Sequence, residues 1–519
     1  MRIRHLACTG IALALACLTA AVNKAAGDAP ATAPAKPSTF KLIIGHDTTR
    51  VDGPLLANGT VDYNTAFCEE TSEGTNADSN ATQALLAALA GWVPYKPRAL
   101  SADESKSKDQ QLSAALTGSW KPGQLPLIEE WLTSNATKLA EVSEACKRPR
   151  LEPGKADPGE LPGPNLPIGL FREASRALVV RAMERLATGD QSGAMSDAAT
   201  AHQLAVHLSQ LPDQASNMVA QSLIITVARA QLAAIRSSDA QASEKWFQQR
   251  LEEKPASPDM PAIEDIGQRF QDLYEVMLAI QGQQQVVLKD LFFSGDEQQA
   301  KDSAILVGDL DQVDWNVILR HINDVDDQAV AIMREQETLK RLSRIREFSA
   351  ARKAEETPGD FDSEVLIPSI MEPGTSTIEQ KQARHREAFQ QRIAAFLRRK
   401  PAETVPAYSL RIAGMFTHVS YGIEWWVRDA AKAEAESEVY TTAMALELFK
   451  KKTGNYPGDL AELVPKTLAR APVDPFSAGP LIYRPTETGY ILYSVGPNGK
   501  DDRGQSSNPK DDIAVRSGD

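Results

Sequence analysis

Residues that commonly mark an active site are scarce and scattered in this 519-residue sequence. It has seven histidines, and no two are four residues apart, the spacing that places two metal ligands on one face of a helix. It also lacks a Cys-x-x-Cys pair, a P-loop, a Gly-x-Ser-x-Gly elbow and a dinucleotide-binding fingerprint. The sequence therefore gives no positive sign of a zinc site, a nucleotide-binding loop or a serine hydrolase.

Cysteine is rare, with four residues in the chain. Cys8 and Cys17 lie in an apolar N-terminal run, which leaves Cys68 and Cys146 for the rest of the protein. Two thiols in an exported protein commonly pair, and closing a loop of this length would stabilise the fold by about 4 kcal/mol. We expect a disulfide between Cys68 and Cys146, and the alternative is two unpaired, buried thiols.

A concentrated basic patch is also missing. The formal net charge is -13, and the lysines and arginines alternate with acidic residues along the predicted helices. Such a surface repels a phosphate backbone. We therefore expect protein partners and no nucleic acid.

The N-terminus has the pattern of a secretory signal peptide over residues 1–27. Arg2 and Arg4 precede an apolar run from Leu6 to Val22, and small residues follow. Residues 28–39 form an Ala/Pro-rich linker. This pattern predicts export to the periplasm or cell envelope. Two alternatives stay open: the run is kept as a membrane anchor, which would be the protein's membrane contact, or Cys17 is lipidated.

Residues 40–400 read as a helical body, with a Pro/Gly-rich loop at 151–167 as a possible break. Apolar residues recur at steps of three and four in several segments. Helices are predicted at 171–187, 194–211, 215–235, 263–292, 314–355 and 377–399, with Asp314 as an N-cap. The small residues of 185–208 resemble a tetratricopeptide-type helical hairpin. The predicted fold is thus mainly α, a helical bundle or array.

The character of the sequence changes in residues 401–519. A long helix reaches Gly454, a short helix covers "LAELVPKTLA", and two strands, Leu481–Arg484 and Tyr490–Val495, surround a turn at 487–489. An acidic, turn-rich tail follows. These features predict a small α+β domain at the C-terminus.

Residues 442–515 resemble the globular domain of the major pseudopilin of type II secretion systems. The matching pieces are "GNYP", "DPF", "PLIYRP", "GYILYSVGPNGK" and "DDI", in that order. The N-terminus lacks the Gly-Phe start at which prepilins are cut, so a standard pseudopilin subunit is not expected. The rest, with "LFREASRALVVRAMERLATGD", resembles a family of large, exported, helical bacterial proteins of uncharacterised function.

The pseudopilin resemblance implies a structural calcium site in the closing loop. By position, Asn498, Asp511 and Asp512 would supply side-chain oxygens, Asp501 or Asp502 would assist, and Val495 would offer its carbonyl. Calcium takes six to eight oxygen ligands, and glycines let a loop turn its carbonyls inward. Asn498 replaces the family's usual Asp, which should weaken binding. The alternative is a solvated acidic tail.

Together these features predict an exported, non-catalytic structural or interaction protein of the cell envelope, associated with secretion. Two other functions stay open. One is a helical ligand- or peptide-binding module, with Trp425 and Trp426 of the aromatic segment "FTHVSYGIEWWVRD" at its groove. The other is an enzyme with an unrecognised site in the helical body.

Overall fold

The computed structural model describes the greater part of the chain outside its N-terminus. The predicted signal peptide at 1–27, the linker at 28–39 and the predicted helix at 377–399 lie outside the described residues. The described residues are 41–72, 76, 78–96, 101–153, 163, 166–253, 259–280, 312–355, 400, 402–414, 419–507 and 510–517.

The described chain is mainly helical, with a small sheet near the C-terminus, as the sequence predicts. The helices are α1 (Tyr63–Ser72), α2 (Thr82–Leu89), α3 (Ala102–Thr117), α4 (Pro126–Ser134), α5 (Ala136–Ala145), α6 (Ile168–Thr188), α7 (Gln191–Ser209), α8 (Gln214–Ser237), α9 (Ala240–Glu252), α10 (Met260–Ala262), α11 (Arg269–Ile280), α12 (Trp315–Met333), α13 (Thr338–Glu355), α14 (Val405–Ala413) and α15 (Val419–Thr453). A π-helical turn, Ile263–Gln268, joins α10 to α11, and Leu460–Leu463 is a 3₁₀ turn.

Side-chain caps fix the starts of several helices. Asp314 accepts a hydrogen bond from the Asn316 N–H at 3.0 Å, which confirms the predicted N-cap of α12. The single helix expected over 314–355 is instead two helices, because the chain leaves the helical path after Met333 and begins α13 at Thr338. Residues 41–45 form no helix or strand, and the Ile43 N–H donates to Asn316 Oδ1 at 2.8 Å, so this part of the chain lies against α12.

Two hydrophobic cores organise the described chain. The first takes residues from α2 to α9, from the C-terminal half of α12, from α13 and α15, and from the sheet. The second takes residues from α1, α11, the N-terminal half of α12 and α14. Leu139 and Phe171, from either side of the 151–167 loop, both belong to the first core. That loop therefore connects two parts of one core.

Helices α6 and α7 pack as the hairpin expected from the Gly189–Asp190 turn. Gly189 has φ 88°, a left-handed conformation in which glycine has no side-chain clash. The Asp190 side chain accepts from the Gly193 N–H at 2.9 Å and caps α7. Arg181 reaches across to Asp197 at 2.6 Å. Helix α8 is long and apolar enough to cross a membrane, but 67% of its most apolar window is buried inside the protein, as in a core helix.

The C-terminal sheet has three antiparallel strands in the order β1 (Ile482–Pro485), β2 (Tyr490–Ser494) and β3 (Ile513–Arg516). β1 and β2 confirm the two predicted strands to within one residue at each end. β3 was not predicted, because it is a short strand of four residues that follows an acidic, turn-rich stretch. Its pairing with β2, with Leu492 opposite Val515, brings both ends of the predicted calcium loop together.

Glu447 on α15 joins the C-terminal sheet to the helical body. Its Oε1 accepts from Arg236 Nε of α8 at 3.0 Å and from the Tyr490 hydroxyl of β2 at 3.2 Å, and its Oε2 accepts from the Tyr456 hydroxyl at 2.9 Å. Arg236 also donates to the Arg516 carbonyl of β3 at 2.7 Å. Burial, and after it the Glu447 carboxylate, raise the pKa of Tyr490, so its hydroxyl stays protonated as a donor.

Replacing Glu447 with glutamine should lower the free energy of unfolding by about 2 kcal/mol, because hydrogen bonds to a charged group contribute about 1.5–3 kcal/mol. Chemical denaturation followed by circular dichroism measures this. Glu438→Gln on the same helix is the matched control, since Glu438 pairs at 3.0 Å with Arg470, which is exposed. Equal losses in the two variants would contradict the role assigned to Glu447.

The structure does not contain the Cys68–Cys146 disulfide expected from the sequence. Cys68 lies on α1, whose neighbouring residues pack in the second core, whereas Cys146 is buried in the first core at the end of α5. Of the two adjacent tryptophans, Trp426 is fully buried in the first core and Trp425 is 44% exposed.

Candidate functional site

The loop between β2 and β3 holds most of the predicted calcium ligands, and its first residues are firmly fixed. Asp474 accepts from the Ser494 hydroxyl at 2.7 Å and from the Val495 N–H at 2.9 Å. Gly496 then takes a left-handed conformation, with φ 67°, and lies directly against the Asp511 carbonyl oxygen. The two arms of the loop thus touch at their base, with the acidic residues just beyond.

Four of the predicted side chains meet in this loop. The Asn498 amide donates to Asp502 Oδ2 at 2.9 Å, and the Asn498 N–H donates to Asp511 Oδ1 at 3.4 Å. Asp512 accepts from the Asp502 N–H at 3.3 Å and from the Gly504 N–H at 2.7 Å. We call Asn498, Asp502, Asp511 and Asp512 the loop cluster.

Asp501 and Val495 are placed differently from Asp502. Asp501 turns toward the strands, where it accepts from Arg484 and from the Tyr493 hydroxyl, both at 2.9 Å. The Arg503 N–H and these partners hold the pKa of Asp501 below its usual value. The Val495 side chain is buried in the first core. Of the two alternatives at 501 and 502, Asp502 therefore joins the loop cluster.

The charges of the loop cluster are poorly balanced. Partial burial, and after it the neighbouring Asp502, raise the pKa values of both Asp511 and Asp512. The raised pKa values mean that burial and like charge outweigh the backbone N–H groups that stabilise the ionised forms. A bound divalent cation would favour those ionised forms.

The chemistry of the loop cluster fits calcium, since it offers carboxylate and amide oxygens and main-chain carbonyls. The positions of the side chains fit less well. Both Asp512 oxygens already accept backbone N–H groups. Across the described part of the chain, no three Asp, Glu, His or Cys side chains are arranged to hold a metal ion. Calcium binding would therefore have to draw the loop cluster closer together.

A second group of charged residues, not predicted from the sequence, is buried in the helical body. Glu264, Arg269, Asp272 and Asp326 each have 0% exposure, and we call these four the carboxylate seam. Glu264 lies in the π-helical turn, Arg269 and Asp272 on α11, and Asp326 on α12. Their neighbours divide between the cores, because Ile263 and Val325 pack in the first and Phe270 and Ile322 in the second. The seam thus lies where the two cores meet.

The acidic members of the seam have few hydrogen bonds. Both carboxylate oxygens of Glu264 and both of Asp326 have no hydrogen-bond partner. Asp272 Oδ1 accepts from Gln268 Nε2 at 2.7 Å, but its Oδ2 has none. A buried carboxylate without partners is strongly destabilised when ionised.

Arg269 is the one cation of the seam. It pairs mainly with Asp265 and Asp327, two aspartates at the edge of the seam. Its Nη2 lies 2.8 Å from Asp327 Oδ1 and 3.2 Å from Asp265 Oδ1, whereas its Nε lies 3.6 Å from Asp326 Oδ2. Arg50, from the N-terminal turn, pairs with the same Asp265 at 3.2 Å and with Asp327 at 3.7 Å. The guanidinium groups of Arg269 and Arg50 thus pair mainly with Asp265 and Asp327, which are partly exposed, and less closely with the buried carboxyl groups.

The pKa values of the seam follow from this arrangement. Burial raises the pKa of Glu264 to about 8. The nearby Arg269 lowers this pKa and Asp265 raises it, but both effects are smaller than that of burial. Burial, and after it the Glu264 carboxyl, raise the pKa of Asp326. Burial, and after it Asp326 and Glu275, raise the pKa of Asp272. Burial therefore favours the neutral form of each of these three carboxyl groups.

One sequence signal points to the seam. Asp326 is four residues after Ile322 and three before Ala329, so it lies on the apolar face of α12 that predicts the helix. A carboxylate at such a position must find a partner or a proton. The partner residues on α11 are more than 50 positions away in the sequence.

Comparison of this chain with protein-family models, with curated proteins and with solved structures finds no match. Its function is therefore argued from its own residues.

Proposed function

We propose that this chain is an exported, non-catalytic structural or interaction protein of the cell envelope, associated with secretion. In this proposal a helical body, with a tetratricopeptide-like hairpin at α6–α7, carries a pseudopilin-like C-terminal domain, and calcium stabilises the closing loop. The partners are proteins. The signal-peptide pattern of residues 1–27 supports export.

One observation carries the calcium part of the proposal: the loop cluster brings together three carboxylates and an amide from both arms of the loop. These residues are up to 14 positions apart in the sequence, and the β2–β3 pairing is what makes them neighbours. A cation there would tie β3 to β2. Since Glu447 and Arg236 connect the same strands to α15 and α8, a calcium-fastened loop would present a firm surface on the helical body.

Calcium should raise the free energy of unfolding of the full chain by about 2.7 kcal/mol at a concentration one hundred times its Kd. Asp511→Asn/Asp512→Asn should remove that gain, because it takes two negative charges from the loop cluster. Thermal melts in calcium and in chelator measure both. Asp501→Asn is the matched control: it removes an adjacent carboxylate that binds Arg484 and Tyr493, so calcium should still stabilise that variant.

Equal melting temperatures of the unmodified chain in calcium and in chelator would contradict the calcium site. In that case the loop is a solvated acidic loop, and the pseudopilin-like interpretation loses its principal chemical support. Loss of the calcium effect in Asp501→Asn as well as in the double variant would show a general charge effect instead of a defined site.

A further inference from the structure

The carboxylate seam is the place where four separate parts of the chain meet. The π-helical turn and α11 face α12 across it, and Arg50 of the N-terminal turn closes one edge. On another side the π-helical turn touches the turn between α7 and α8: a Cβ at Gly267 would lie 1.9 Å from the Pro212 carbonyl oxygen. A change in the charge of the seam therefore acts on the contact of α12 with the π-helical turn and α11.

We propose that the carboxylate seam is a proton-dependent junction, whose protonated carboxyl groups keep α12 packed against the π-helical turn and α11 and whose ionisation weakens that packing. The inference concerns regulation of the helical body and goes beyond the proposed function. It does not depend on the calcium loop.

The charge balance around the seam supports this. Six carboxyl groups face it against two guanidinium groups, and His46 contacts one of these, Arg50, at 3.0 Å. The six are Glu264, Asp265, Asp272, Glu275, Asp326 and Asp327. Asp213, at the α7–α8 turn, adds a seventh carboxyl on the far side of the π-helical turn, and burial raises its pKa to about 6. Full ionisation would leave several like charges together in a buried site.

Ionisation favours opening of the seam because the ion pairs at its edge and the carboxyl groups at its centre differ in their access to water. The edge pairs, Arg50 with Asp265 and Arg269 with Asp327, are partly exposed on the carboxylate side, so they tolerate water. Glu264 and Asp326 are fully buried, and water that entered the seam would supply the hydrogen bonds that their ionised forms lack. Ionisation therefore favours a state in which water enters between α12 and the π-helical turn.

The sign of the pH effect follows from linkage. In the closed state Glu264 holds its proton up to about pH 8, whereas an open, hydrated glutamate releases it near its ordinary pKa of 4.5. The closed state thus binds more protons in this window, and its stability falls as the pH rises from about 4.5 to about 8. The equilibrium constant for opening should increase about tenfold per pH unit for each carboxyl that titrates in this way.

Hydrogen exchange of the full chain at pH 5, 6, 7 and 8, corrected for intrinsic exchange rates, tests the junction. Peptides from 263–280 and 315–333 should open at least tenfold more readily per pH unit between pH 5 and 7, while peptides from 214–237 in α8 should not change. Glu264→Gln and Asp326→Asn should each reduce this slope, and the double variant should reduce it further, leaving the part that Asp272 contributes. Both substitutions keep the side-chain shape and remove only the titration.

Glu141→Gln is the matched control, because Glu141 is an exposed partner of Lys138 and should leave the slope unchanged. Three results would overturn the proposal: opening that does not depend on pH, opening of α8 together with α11 and α12, or an unchanged slope in the double variant. The second would indicate global unfolding, and the third would assign the titration to other groups.

Discussion

Replacing Arg269 with methionine should lower the free energy of unfolding at pH 7 by about 3–5 kcal/mol, the usual cost of removing one partner from a buried charge cluster. Arg269 has 0% exposure and is the cation closest to Asp326. Methionine fills a similar volume, so the loss reports mainly the ion pairs of the buried guanidinium group with Asp265 and Asp327. Chemical denaturation followed by circular dichroism measures it.

Arg50→Met is the matched control for Arg269→Met. Arg50 contacts the same Asp265 and Asp327, but its side chain is 21% exposed, so we expect a loss of about 1 kcal/mol or less. The difference between the two variants isolates the effect of burial. Equal losses in both variants at pH 7 would contradict the role given to Arg269.

The features of the fold that depend on local sequence could be predicted. The apolar face of α12, the Asp314 cap and the Gly189 turn each depend on residues a few positions apart, and all three are present. The strands β1 and β2 were predicted for the same reason, because aromatic and β-branched residues flank a short turn. Local patterning of this kind determines which element forms.

The features that depend on distant contacts could not be predicted. Strand β3 has four residues, and it forms because Ile513 and Val515 pair with β2, about 20 positions earlier in the chain. The break between α12 and α13 lies in a polar stretch that contains no proline or glycine. The prediction of a disulfide was wrong for the same reason, because the sequence does not show that Cys68 and Cys146 lie at different cores.

The two candidate sites differ in how far the sequence predicts them. Asn498, Asp511 and Asp512 were named through the resemblance, and the structure brings them together with Asp502, because a single hairpin of strands joins them. The carboxylate seam needs α11 and α12 to meet, and nothing in the sequence specifies that contact. Only the position of Asp326 on an apolar face indicates that a buried charge is present.

The second large effect is expected at the base of the loop between β2 and β3. Gly496→Ala should lower the free energy of unfolding by about 3 kcal/mol, since the new Cβ would lie 2.1 Å from the Asp511 carbonyl oxygen and the residue has φ 67°. To relieve that clash the two arms of the loop must separate. The loop cluster would separate with them, so the variant should also lose stabilisation by calcium.

Gly499→Ala separates the two causes of this loss of stability, which are the clash of the new Cβ with Asp511 and the positive φ. Gly499 has φ 68°, almost the same left-handed conformation as Gly496, but a Cβ there would have no heavy atom within 4 Å. Its substitution should therefore cost only the conformational part, about 1 kcal/mol, and should leave the calcium response in place. The difference between the two alanine variants, measured in thermal melts with calcium and with chelator, gives the contribution of the Gly496–Asp511 contact. If the two variants lose equal stability, that contact does not hold the loop closed, and the loop cluster does not depend on it.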